Sequence, residues 1–182
     1  DQDGTASIVL FQKIEDFECR LVTMFGNELD VSLEFRLADD AEGEAKYQVA
    51  LHSYFAIGDI ASISITGLEE ADYIDKLDQA RRKDATGKAI QFDAECDRIY
   101  LNTTATCVLH DPVLGRRVRV EKRHSQQTVV WNPWIEKAAR MPDFGDEEWQ
   151  QMVCIETANV GADQTLQPGE SSKIATRIGV DH

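Results

Sequence analysis

The chain has 182 residues, 42% of them hydrophobic, enough for a buried core of domain size and too apolar for a disordered segment. A formal net charge of −14 repels phosphate backbones and anionic lipid, which sets aside nucleic-acid binding and membrane-surface binding as main functions. No apolar run approaches the roughly 20 residues of a membrane helix, and no charged segment followed by an apolar stretch marks a secretory leader.

The chain opens "DQDGTASIVL" without a methionine, so a processed chain, or one cut from something longer, is expected. From there the dominant period is two. "FECRLVTMF" (17–25) reads as a strand. "ELDVSLEFRL" (28–37) alternates fully, with Leu29, Val31, Leu33, Phe35 and Leu37 on one face and charged or polar residues on the other. Gly26 and Asn27 suit a tight two-residue hairpin between them. "KYQVALHSYFAI" (46–57) reads as one long, central strand. "ASISITGL" (61–68) follows the turn Gly58-Asp59. Charge then rises over 69–90, which reads as an excursion from the sheet, a loop or a short helical turn.

Strands resume at 104–111, 117–123 and 127–131. "IEKAARM" (135–141) is a short helix candidate, stopped by Pro142 because a proline disfavours helix at the residue before it. Strands at 152–160 and 171–180 complete the pattern, the last after the turn "QPGE". Many strands, short turns and one helix predict an all-β class, a large antiparallel β-sandwich in a single domain over 1–182. The strand supply is short for so large a sandwich, so an incomplete one, lacking N-terminal strands, is expected.

Four cysteines, Cys19, Cys96, Cys107 and Cys154, are scattered without a CxxC and without a cysteine–histidine spacing that suggests zinc. Reduced, mostly buried thiols in a cytoplasmic protein are the expectation. Three polar residues interrupt apolar strand context: His52 in "VALHSYF", Asp97 in "AECDRIY" and Glu156 in "MVCIETANV". A histidine in a strand is commonly structural, and Asp97 beside Arg98 could form a simple surface ion pair. Glu156 is more telling. A carboxylate in such a run is costly to bury, and burial raises its pKa from about 4.3 towards neutrality, which suits a general base. An imidazole and a carboxylate on neighbouring strands make an acid–base pair able to isomerise a sugar at its anomeric carbon, with no metal and no other cofactor. Trp131 and Trp134 bracket Asn-Pro; a packed strand exit is favoured over sugar stacking.

Taken together, "ALHSYFAIGDI", "DRIY", "TVVWNPWIEKAARMPDFGDEEW", "MVCIETANV" and "LQPGES" resemble the hexose-6-phosphate mutarotases, or glucose-6-phosphate 1-epimerases, of the galactose-mutarotase-like superfamily. The resemblance implies a large antiparallel β-sandwich with a sugar phosphate bound in a groove across one sheet. It places the family's catalytic histidine ("HxYF") on His52, its catalytic glutamate ("CxE") on Glu156 and its sugar-binding aspartate on Asp97. It implies that Glu156 takes the C1 hydroxyl proton while a protonated His52 donates to the ring oxygen, so that the ring opens, turns and closes on the other face. The family's upstream segment, with further strands, a second active-site histidine and phosphate-gripping arginines, has no counterpart here. A non-catalytic carbohydrate- or protein-binding module is therefore the alternative. The preferred hexose phosphate and the oligomeric state are left open.

Overall fold

A computed structural model describes residues 4–181. Among these residues two antiparallel sheets carry nearly all the regular structure. The first runs in the order β1 (Ala6–Ile14), β2 (Phe17–Phe25), β3 (Leu29–Leu37), β14 (Ser171–Asp181), β11 (Arg116–Arg123), β10 (Cys107–Asp111) and β6 (Ser64–Thr66). The second runs β4 (Ala45–Leu51), β13 (Met152–Leu166), β12 (Gln127–Asn132), β9 (Cys96–Tyr100), β7 (Tyr73–Asp75) and β8 (Arg81–Lys83), with β5 (Tyr54–Ala56) paired to the start of β13. No helix among the described residues is long and apolar enough to cross a membrane.

The period-two pattern decides what each sheet buries. Ile65, Leu109, Val118 and Val120 of the first sheet meet Val130, Val153 and Ile155 of the second in the main core. A second cluster joins Phe35 and Leu37 to Leu166, with Phe17, Tyr47 and Val49 packed against it. Val153 and Ile155 thus point inward, which sends Cys154 and Glu156 to the opposite face of β13. That outer face is covered too, since residues 152–158 of β13 are all buried. The two-sided burial accounts for the nearly continuous apolar run around Glu156.

Several elements depart from the sequence reading. The long strand at 46–57 is broken: β4 ends at Leu51, β5 begins at Tyr54, and His52 and Ser53 lie between them. The loop between β2 and β3 holds three residues, because Phe25 pairs with Leu29. The charged stretch 69–90 contains β7 and β8, a short hairpin in which Lys83 reaches Asp75 at 3.0 Å; three-residue strands bridged by ion pairs carry no apolar period. β1 was not expected at all. The helix is shorter than predicted, α1 (Trp134–Ala138), and gives way to turns through Met141 before Pro142 is reached.

Candidate active site

The break in the 46–57 segment keeps its register. Leu51 pairs with Thr157, and Tyr54 pairs with Cys154. Counting inward from both ends sets His52 directly across from Glu156. Within β4, Tyr47 and Val49 face the core, so Gln48, Ala50 and then His52 face the other way. The imidazole Nε2 lies 3.3 Å from Glu156 Oε1. The His52 side chain is half exposed, whereas that of Glu156 is only 6% exposed. The imidazole stacks on the Tyr54 ring at 4.7 Å and meets Trp131 edge-on at 5.9 Å, which limits its rotation.

Asp97 joins the pair through the adjoining strands. Trp131 stands between Cys154 and Asp97 in the ladder, so the three share a face of the sheet. Asp97 is 6% exposed. Its partner is not Arg98, which points to the other face and lies over the Tyr73 ring at 4.9 Å. Instead Lys76 Nζ reaches its carboxylate at 3.1 Å and Lys137 Nζ at 3.7 Å. Both lysines escaped the sequence reading. Lys137 also sits 5.5 Å from the Trp131 ring, a cation–π distance.

His52, Glu156, Asp97, Lys76 and Lys137 line one groove of about 640 Å³, with Gln48, Ala50 and Trp131 among its walls, a size suited to a small ligand. Gly161 shapes the far end. β13 slips register between Asn159 and Gln164, and Gly161 takes φ +80° within that slip, against Ile74 and Ile99; this conformation favours glycine. Trp131 is therefore a groove wall as well as a packing residue. Trp134 behaves as a strand-exit residue, packed against Trp149 with the rings tilted by 48° and 4.5 Å apart. Asn132, fully buried, ties that corner: its amide donates to the Trp149 and Met152 carbonyls and its Oδ1 accepts from the Trp134 N–H.

The electrostatics follow from burial. Burial pushes the Glu156 carboxyl up to about 7, assisted by the negative Asp97 and opposed by Lys76. Burial also pushes His52 below the ordinary imidazole value, opposed by a backbone hydrogen bond and by Asp97. Each shift favours the neutral form. The two groups are in contact, so the proton held by one bears on the other. The four thiols are free, with Cys96, Cys107 and Cys154 buried. Cys154 Sγ comes within 4.8 Å of the His52 and Glu156 donor atoms, a proximity that residues 102 positions apart could not disclose by spacing.

A family model described as aldose 1-epimerase matches residues 15–179. A Cenchrus ciliaris protein provisionally named glucose-6-phosphate 1-epimerase is 38% identical over 156 residues, covering 85% of this chain and 47% of its own length. A Salmonella typhimurium protein with the same provisional name is 36% identical, covering 78% of this chain and 48% of its own length. The crystal structure of a provisionally assigned mutarotase from Salmonella typhimurium superposes with a TM-score of 0.84 at 31% identity, over 99% of this chain and 61% of that one. The chain spans about half the length of the curated relatives it matches.

Proposed function

The chain belongs to the aldose 1-epimerase family, and from that premise we propose that it interconverts the α and β anomers of a hexose 6-phosphate. The observation that carries this reading is the His52–Glu156 pair, 3.3 Å apart across two strands of one groove, with the buried Asp97 beside it. The phosphate rests on the names of the relatives and on charge. An anionic substrate needs local positive potential in a chain of net charge −14, and Lys76 and Lys137 supply it in the groove.

The reaction uses the singly protonated pair. One member accepts the C1 hydroxyl proton while the other donates to the ring oxygen; the C1–O5 bond breaks, leaving the open aldehyde. Rotation about C1–C2 presents the other face of the carbonyl. Ring closure then returns each proton, and the two residues exchange roles. In the direction written for the family, Glu156 is the carboxylate and His52 the imidazolium. Burial favours the alternative tautomer, protonated Glu156 with neutral imidazole, and the two differ by one proton moved across the 3.3 Å contact. Asp97, held by Lys76 and Lys137, accepts a hydrogen bond from a sugar hydroxyl and fixes the pose, which is the proximity part of the rate enhancement.

Exchange NMR of α- and β-glucose 6-phosphate is the test. Anomer exchange should quicken with this chain, and Glu156→Gln should lose roughly 10²–10⁴-fold of the acceleration. A Glu156→Gln variant as fast as the parent removes the assignment. A folded parent chain that leaves exchange at its spontaneous rate favours a non-catalytic carbohydrate-binding module.

A further inference from the structure

We propose that His52, Cys154 and Glu156 form a three-donor site for a zinc ion, and that zinc seated there switches the groove off. No function considered above uses Cys154, yet it brings a sulfur donor to the acid–base pair.

Geometry is the first support. The imidazole nitrogen, the thiol sulfur and a carboxylate oxygen all lie within 4.8 Å of one another. Nε2 of His52 and Oε1 of Glu156 are already 3.3 Å apart. Two ligands each about 2.0–2.1 Å from a tetrahedral zinc stand roughly 3.3 Å from one another. The sulfur, about 2.3 Å from the metal, needs to approach the other two donors to roughly 3.5 Å. That closes each separation by up to about 1.3 Å, a shift shared among rotations of the three side chains.

The scaffold and the donor set are the second support. Cys154 and Glu156 are alternate residues of one strand and share its outer face; His52 is the cross-strand neighbour of Glu156. Cys154 and Glu156 are placed by strand register, and His52 by the two-residue break between β4 and β5, whose flanking pairs keep that register. A mixed nitrogen, sulfur and oxygen set suits zinc and disfavours magnesium and calcium, which take oxygen ligands. His52, half exposed, is the entry side, and His52 and Glu156 line the groove from which a fourth, non-protein ligand would come, as in three-ligand zinc sites.

Charge balances. Zinc brings two positive charges to one thiolate and one carboxylate. Cys154 is a free and fully buried cysteine in the metal-free site. Binding breaks the S–H bond, forms the S–Zn bond and releases that proton to solvent; a proton on Glu156 leaves in the same way. A bound metal of this charge deprotonates a coordinating thiol outright. Once the imidazole and carboxylate lone pairs are committed to zinc, neither group can carry a proton to or from a sugar. Binding needs only the three donors, whereas the loss of activity rests on the epimerase reading.

Cobalt(II), a spectroscopic substitute for zinc, separates the two. Titrated into the chelator-treated chain, it should give a near-ultraviolet thiolate-to-cobalt band saturating at one equivalent and chased by zinc. The band should vanish in Cys154→Ser and in Cys154→Ala and persist in Cys19→Ser. Zinc affinity should fall roughly tenfold or more in His52→Asn and in the Cys154 variants. In exchange NMR, zinc should stop the acceleration and a chelator should restore it. Absence of the band in the folded parent chain, or a band unchanged in both Cys154 variants, overturns the site. A Cys154-dependent band with undiminished exchange overturns the switch. A Cys154-dependent band on a chain that never accelerates exchange sinks the epimerase reading and leaves the metal site standing.

Discussion

Two strands of this molecule are equally β-like in sequence and opposite in circumstance. β13 is buried on both faces from Met152 to Ala158, between the core and the groove wall. β1 is exposed along its whole length and pairs on one side only, with Leu10 57% and Phe11 74% exposed. Among the described residues none of β1 belongs to a core cluster. β-propensity explains neither difference. Burial on two faces fixes register, because a one-residue slip would drive Glu156 into the core and Ile155 into the groove. Glu156 and Cys154 sit on β13, Asp97 sits on β9 and His52 follows β4, whereas β1 carries no residue of the site.

Substitutions sharpen that contrast. The largest effect expected is catalytic, the loss of roughly 10²–10⁴-fold in exchange rate on Glu156→Gln. Next comes Ile155→Ala, one residue away on the core face, at a cost of about 2–5 kcal/mol in denaturant unfolding. Phe11→Ala on β1 should stay within about 0.5 kcal/mol. Equal costs at Ile155 and Phe11 would break the comparison.

Glu156→Gln should also change stability, in the direction opposite to activity. The carboxyl is raised from 4.5 to about 7 in the folded chain. A raised carboxyl favours folding most below the unfolded value and disfavours it as pH climbs through the folded value. The variant should therefore gain on the order of 2–3 kcal/mol over the parent at pH 8, and the gain should vanish below pH 4.5. Unfolding curves at the two pH values check it; a variant less stable than the parent at pH 8 would contradict the buried, raised carboxyl.

A change in pH dependence is expected at Lys76. In metal-free protein the exchange rate should follow a bell, falling on the alkaline side as the pair loses its proton and on the acid side as it takes a second. Lys76 holds Glu156 down, so Lys76→Met should move the alkaline limb upward and weaken substrate binding through the loosened Asp97. An unmoved limb would mean that Lys76 does not act on the pair.

Much of the fold was legible because alternation survives wherever one face is buried. Residues 29–37 and 117–123 show it plainly, and both are strands. β1 was missed because "SIVLF" is apolar on both faces and so has no period, and β7 and β8 because Asp75 and Lys83 supply charge where a longer strand would supply apolar residues. The break at His52 was invisible because the chain stays in register across it. At the site, His52, Asp97 and Glu156 stood out as polar residues in apolar runs, but their meeting depends on pairings 23 and more positions apart, which only the resemblance to known mutarotases supplied. Lys76, Lys137 and Cys154 had no local signal: the two lysines lie in a charged stretch and a short helix candidate, and the thiol read as one more buried cysteine.

The coupling of His52 to Glu156 is most directly tested by following the imidazole resonances of His52 by NMR against pH, in the metal-free parent and in Glu156→Gln. Two coupled steps spanning neutrality are expected in the parent and a single simple step in the variant. One identical step near 6.5 in both would mean that the two groups do not share a proton and that the pair does not exist as a unit.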